Sequence, residues 1–432
     1  MVYMNWIIAL IIFILTYAVL FTERIDRTIV TLAGAVSVLL AGIVLGFYSQ
    51  HEAFLAIDFD TIALVLGMMV MVGTVERTGL IEYMAIYIAK KTGGKIWLLL
   101  VGLGAFTAIA SAFMDNVTTM VLVAPTTLSI TDLLGLSPIP FLISESMLSI
   151  VGGLSTLIGA PPNIMIGSAA DLGFNQFIAH LGPIALTVWF VSIIYFWFKF
   201  KNTLPDEANQ REALEEMDPS RTVESWNDFR KAIAVIAIVI GLYLLHGFIG
   251  LEPPTVAFIG AVLALTLIRP DVQETLSDVE WSVIFFYSSL FVLVGGLEQT
   301  GMIQQIALGF GQIAENYPVL APVALIWFAG VLSGIIDNVP LTIALIPVIH
   351  SLGSIHGIHL NSYWWALALG AVLGGISSPV GSSANVITVS LSERTETPIT
   401  FTKWIKVGLP LTLVNLTLAS LFLFFGMRLG LM

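Results

Sequence analysis

The chain has 432 residues, 57% hydrophobic and 11% charged, and a formal net charge of −12. A soluble domain carries about 25% charged residues; here apolar stretches long enough to cross a bilayer, about 20 residues each, recur from end to end. This excludes a soluble fold, and the continuous rather than alternating apolar runs argue against a transmembrane β-barrel. The absence of cysteine excludes disulfides, thiolate metal sites and thiol nucleophiles, and nothing in the acidic balance points to nucleic acid.

The first apolar run, Trp6 to Phe21, has no positive residue before it and Arg24 and Arg27 after it. That pattern predicts a retained helix with its N-terminus outside, not a cleaved signal peptide. Spans are predicted near 5–21, 28–47, 61–78, 141–170 and 181–200, and again near 231–249, 255–269, 281–299, 362–391 and 405–428. Segments 96–131 and 318–349 each hold two short apolar arms around an Asp-Asn pair, and are read as re-entrant hairpins. Residues 201–230 form a charged cytoplasmic linker with a short surface helix. This arrangement puts Arg24, Arg27, Arg77, Lys90, Lys91, Lys95, Arg269, Arg394, Lys403 and Lys406 on one side and only Arg428 on the other. By the positive-inside rule both termini lie outside a cell inner membrane.

One offset organises the chain. SAFMDNVTTMVLVAP at 111–125 and SGIIDNVPLTIALIP at 333–347 are 222 positions apart. The same offset relates MVGTVERTGL at 71–80 to LVGGLEQTGM at 293–302, and GGLSTLIGAPPN at 152–163 to GGISSPVGSSAN at 374–385. The expected fold is therefore an all-α polytopic membrane protein of about ten transmembrane helices and two re-entrant hairpins. The first repeat spans residues 1–200 and the second 231–432. Five crossings per half, an odd number, invert one half relative to the other, an architecture of secondary transporters with the site at the repeat interface.

Two kinds of motif recur within that frame. The hairpin tips carry Asp115, Asn116, Thr118 and Thr119, mirrored by Asp337, Asn338 and Thr342. A carboxylate inside a span costs roughly 2.5–3.5 kcal/mol to insert on translocon scales, so Asp115 and Asp337 are read as proton- or ion-coupling residues. Spans 141–170 and 362–391 are broken by Gly, Pro and Ser, and Pro161-Pro162 cannot continue a helix. Exposed half-helix termini with Ser155, Thr156 and Asn163, and with Ser377, Ser378, Ser382, Ser383 and Asn385, would make a polar cup for a small solute. Glu145, near the start of the first broken span, is a second candidate proton site. Glu76 and Glu298 read as helix-end structure, and the His356-x-x-His359 spacing is a weak metal signal that assigns no metal site. No Lys or Arg is expected in the cup, and without a nucleotide-binding motif energy must come from an ion gradient or a separate soluble ATPase subunit.

SAFMDNVTTMVLVAP followed by GGLSTLIGAPPNIMIGSAADLGF resembles the ArsB/P-protein/NhaD-like permeases, the arsenite permease and P-protein group of the ion transporter superfamily. The likeness extends over nearly the whole chain. It implies a scaffold domain, a transport domain of two hairpins and two broken helices, elevator-like movement and a homodimer. The Asp-Asn and Pro-Pro-Asn forms resemble the P-protein branch more than the bacterial arsenite permeases. The leading expectation is proton-coupled efflux of arsenite or antimonite without an organic cofactor. The alternatives are a sodium/proton antiporter or another anion permease of the superfamily, and, more remotely, an intramembrane aspartyl protease.

Overall fold

The computed structural model describes residues 2–20, 22, 24–205, 217–395 and 398–430. The first half runs α1 (Val2–Leu20), α2 (Arg27–Leu45), α3 (Gln50–Leu55), α4 (Phe59–Glu76), α5 (Leu80–Lys91), α6 (Ile96–Ser111), α7 (Asn116–Leu133), α8 (Ile139–Leu154), α9 (Pro161–Ala170) and α10 (Phe174–Phe200). The second runs α11 (Trp226–Ile249), α12 (Pro253–Ile268), α13 (Val272–Ser277), α14 (Trp281–Gln299), α15 (Met302–Asn316), α16 (Leu320–Ser333), α17 (Asn338–His356), α18 (Asn361–Gly374), α19 (Ser383–Ser392) and α20 (Phe401–Arg428). Among the described residues seven helices are long and apolar enough to cross a membrane unaided: α2, α4, α10, α11, α14, α17 and α20.

Two groups of helices pack together. One is a framework in which α1 lies on α2, α11 on α12, α4 on α12 and α2 on α14. The other pairs α6 with α8 and α16 with α18, while α7 reaches α19 and α17 reaches α9, so each hairpin meets the broken helix of the opposite half. The long helices α10 and α20 flank that unit against α8 and α18.

The intimacy of the α6–α8 pair follows from glycine. A Cβ on Gly152 would overlap the backbone of Ala108, and one on Gly374 would overlap that of Gly330, the mirror position. Ser111 Oγ donates to the Ser149 carbonyl at 2.7 Å, and Ser333 Oγ donates to the Ala371 carbonyl at 2.5 Å. Backbone contact and hydroxyl bond both repeat at the 222-residue offset, so the sequence repeat is also a repeat of packing.

The hairpin arms α7 and α17 have 18 and 19 residues, longer than the short arms expected from sequence. Each contains a mirrored interior proline, Pro125 and Pro347, which removes a backbone donor. Among the described residues four helices lie outside the predicted spans and hairpins: the six-residue α3 and α13, and the longer α5 and α15. α5 packs on α7, and α15 packs on α17, each lying beside the outer arm of its hairpin. Of the linker, Pro219–Thr222 forms a 3-10 turn against α5, and the Met217 carbonyl accepts from Lys90 Nζ. Residues 206–216 of the linker, in which a short surface helix is expected, lie outside the described residues.

Several basic residues mark one end. Arg77 bonds Glu274 and Asp278 beside α13, Lys199 Nζ donates to the Lys406 carbonyl, and Thr28 Oγ1 donates to the Ser282 carbonyl where α2 and α14 begin. We call this the basic end. α4, α11 and α12 meet at the other, where Gly250 and Pro253 adjoin the start of α10.

Replacing Gly152 by Val is expected to destabilise the protein by at least about 1–3 kcal/mol, the usual penalty of overpacking. Gly309 in α15 has open space around it, so Gly309→Ala is expected to be neutral or mildly stabilising. Thermal unfolding of the two purified variants in detergent checks both.

Candidate transport site

Each Asp of the Asp-Asn pairs is a helix N-cap. The Asp115 carboxylate accepts from the backbone N–H groups of Val117 and Thr118 at 2.8 and 3.0 Å and from Thr118 Oγ1 at 2.7 Å. Asp337 accepts from Val339 N–H at 3.0 Å and from Ser383 Oγ at 3.0 Å. Capping explains why an anion is tolerated here, because the first turn of a helix offers unpaired donors and a positive dipole end. It does not explain why both anions face open space. Asp115 and Asp337 together line one cavity of about 40 Å³, with Thr118, Ser383, Glu280, Tyr287 and Arg27. A water needs about 10–15 Å³ measured this way, so the cavity has room for about three waters or one small ion.

Asp115 also holds a conformation that its mirror does not. Its φ of 46° and ψ of 157° lie in a region that L-residues rarely adopt, whereas Asp337 has φ −49° and ψ 140°. Such backbone strain costs of order 1–3 kcal/mol and persists only where surrounding bonds enforce it. Here the three bonds to the Asp115 carboxylate do so.

Arg27 corrects the expectation of a cup without cations. Its Nη1 donates to Ser383 Oγ at 2.5 Å, and its guanidinium lies 5.3 Å from the Phe286 ring centre. It stands between the small cavity and a wider one of about 460 Å³ that opens at the basic end beside Arg24 and Asp26, and it lines both. Asp26 there caps α2, and the Thr28 backbone N–H holds its carboxyl below the usual carboxylate range. By sequence alone Arg27 is one of the loop charges that set topology. Its signal was its place at the first position of α2, one residue after a capping Asp.

The other candidates lie behind the cavity. Asn163 Nδ2 donates to the carbonyls of Gly153, Leu154 and Thr156 at 3.2, 3.2 and 2.8 Å. Asn385 Nδ2 donates to those of Gly375 and Ser378 at 2.7 and 2.8 Å. Both amides thus close the orphaned C-terminal carbonyls of the preceding half-helix, and neither residue lines the cavity. Ser155 and Ser377 turn their hydroxyls onto the Gly152 and Gly374 carbonyls. Thr156 Oγ1 donates to the Ala112 carbonyl while accepting from Gly159 N–H, and Ser378 Oγ accepts from Val380 and Gly381 N–H groups. Thr119 and Thr342 bond back to the carbonyls of Asp115 and Asn338. Asn116 Nδ2 reaches Ser382 Oγ at 3.2 Å; the mirror of Ser382 is Ala160, and Asn338 Nδ2 has no partner among the described residues.

Glu145 sits within α8, 1% exposed, accepting from Thr127 Oγ1 at 2.8 Å, and does not line the cavity. Its mirror is Leu367, so it belongs to one half only. Its neighbour Ser146 donates to Asn385 Oδ1 at 2.8 Å; the mirror of Ser146 is Ala368, and Asn163 Oδ1 is left without a partner. Among the described residues no group of three or more His, Asp or Glu could hold a metal, and His356 instead pairs with Glu315 at 2.6 Å.

Two hairpins and two broken helices meeting at the interface of inverted halves have the architecture of a membrane transporter. Comparison with known proteins agrees. The citrate transporter family model matches residues 17–370, and the chain belongs to that family, within the ion transporter superfamily. Two uncharacterized transporters of Mycobacterium tuberculosis are 36% and 33% identical to it, each over 96% of this chain and 98% and 97% of their own length. The P protein of Homo sapiens is 29% identical over 94% of this chain, which spans 58% of that protein. The crystal structure of the Alcanivorax borkumensis YdaH transporter superposes with a TM-score of 0.62 over 94% of this chain and 99% of that one, at 15% identity, a likeness of fold.

Ser146→Ala leaves Asn385 Oδ1 unpaired and is expected to cost about 1–3 kcal/mol. Ala368→Ser offers the missing donor to Asn163 Oδ1 and is expected to be neutral or stabilising. Melting temperatures of the two variants, measured side by side, check the pair.

Proposed function

We propose that this membrane transporter couples the movement of a small inorganic solute to protons, with Asp115 and Asp337 as the coupling groups. The observation that carries this reading is their convergence on one small cavity. Two carboxylates there can exchange protons for a solute as the cavity changes the side it opens to. With Glu280, the cavity holds three carboxylates against the single guanidinium of Arg27. Such a lining favours a neutral or cationic solute over a polyanion, since an uncompensated buried charge is expensive.

Arsenous acid and its antimony counterpart are neutral trihydroxides at neutral pH and fit these terms, so efflux of arsenite or antimonite is the leading assignment. Sodium/proton exchange at the same carboxylates is the nearest alternative. A second reading rests on Arg27 and on the family's description as citrate transporters. In it a carboxylate solute enters the 460 Å³ basic-end cavity and pairs with the guanidinium, accompanied by cations or protons. The positive-inside rule orients the basic end to the cytoplasm and both termini outside an inner membrane, and the hairpins and broken helices are the elevator-like moving unit. Glu145, away from the cavity, is proposed as a second proton site.

Proteoliposomes loaded with a pH-sensitive dye test the assignment. Arsenite or antimonite is expected to evoke proton flux, and Asp115→Asn or Asp337→Asn to reduce it at least tenfold. Flux evoked by sodium alone reassigns the solute to sodium. Flux evoked by citrate and lost in Arg27→Gln selects the second reading.

A further inference from the structure

The two halves share a sequence pattern but do not share all contacts, and the difference falls between the framework and the moving unit. Asp58, which caps α4 through Asp60 and Thr61 N–H groups, also accepts from Ser168 Oγ near the end of α9 at 3.0 Å. This bond ties framework to moving unit at the end opposite the basic one. The 222-residue offset carries Asp58 to Glu280, just before α14, and Ser168 to Ser390, near the end of α19. No hydrogen bond joins that mirror pair among the described residues. α4 packs on α9, whereas α14 does not pack on α19 in the same way. Ser390 is exposed, and Glu280 lines both basic-end cavities.

The cavities agree with this asymmetry. The basic-end cavity reaches Asp337 and adjoins the small one shared with Asp115. A cavity of about 450 Å³ at the other end stops at Leu64, Leu157 and Ile164 and is lined by neither tip aspartate. On the basic side the framework still reaches the first turns of α19 and α17, through Arg27 Nη1 to Ser383 Oγ and Tyr17 Oη to the Pro340 carbonyl. The pair Asp58–Ser168 is therefore joined while its mirror Glu280–Ser390 is open.

In an inverted repeat, the contacts that one half makes in one state are those its mirror makes in the other. We propose that Asp58–Ser168 and Glu280–Ser390 are reciprocal latches. The first is closed in this structure. The second closes when the moving unit shifts and Asp58 releases Ser168, and it then shuts the basic end. The inference rests on the alternating-access reading above but not on any choice of solute.

The chain has no cysteine, so introduced pairs can be cross-linked without removing native thiols. Asp58→Cys with Ser168→Cys is expected to cross-link readily in the resting protein. Glu280→Cys with Ser390→Cys is expected to cross-link slowly, and about three- to tenfold faster when Ser168→Ala is added, the shift that loss of one hydrogen bond produces. A rate unchanged by Ser168→Ala overturns the proposal. Because Glu280→Cys alters the cavity, a second measurement uses Ser390→Cys alone, on an exposed surface. Its labelling by a polar maleimide is expected to fall by a similar factor when Ser168→Ala is present, and constant labelling again overturns the proposal. Neither readout needs transport. A wild-type protein that moves no solute while the cross-linking shift persists therefore refutes the solute assignment and leaves the latches standing.

Discussion

Helices that stop in the middle of a membrane protein leave backbone groups where no bulk water reaches them, and each unpaired group there costs several kcal/mol. The architecture depends on how such ends are closed, four of the eight by two kinds of side chain. The C-termini of α8 and α18 are closed by the side-chain amides of Asn163 and Asn385, which fold back across the breaks. The N-termini of α7 and α17 are closed by the carboxylates of Asp115 and Asp337. Amides supply donors to carbonyls and carboxylates supply acceptors to N–H groups, so the residue types follow from the polarity of each helix end. The two aspartates then have capacity left over, and that remainder faces the cavity.

This division explains which parts of the site were legible in the sequence. The tips and breaks stood out because polar residues and prolines interrupted apolar runs at one constant offset, and the break between α8 and α9 lies within the predicted broken span. A motif, however, does not distinguish an amide that faces a cavity from one that faces a carbonyl. Asn163, Asn385, Ser155 and Ser377 are conspicuous in sequence because the backbone needs them. Arg27 was hidden for the opposite reason. An arginine at the start of a span is what topology alone requires, and only the folded arrangement that sets the start of α2 against the start of α19 brings its guanidinium beside Ser383. The helices α5 and α15 escaped because they are too short to span and one-sided in polarity, a pattern that a search for uniform apolar runs passes over.

Where the halves differ is as informative as where they agree. Repeated bonds such as Ser111–Ser149 and Ser333–Ala371 hold each hairpin rigidly to its own broken helix. Differences internal to that unit, such as Ser146 against Ala368, are written in the sequence and persist in any state. The difference between Asp58 and Glu280 is of another kind: both are acidic and both mirror partners are serines, yet only one pair is joined. Equal chemistry with unequal contact reflects position rather than composition.

The bonds around the tips also bear on how the protein is made. Asn116 bonds Ser382, Ser146 bonds Asn385 and Arg27 bonds Ser383, partners separated by 266, 239 and 356 residues. A ribosome delivers the first half of each pair long before the second. Until α19 emerges, the completed first half carries an arginine, an asparagine and a serine whose partners do not yet exist. Biogenesis must therefore shelter a half-built polar centre inside the bilayer, and the last-inserted broken helix is the piece that completes it.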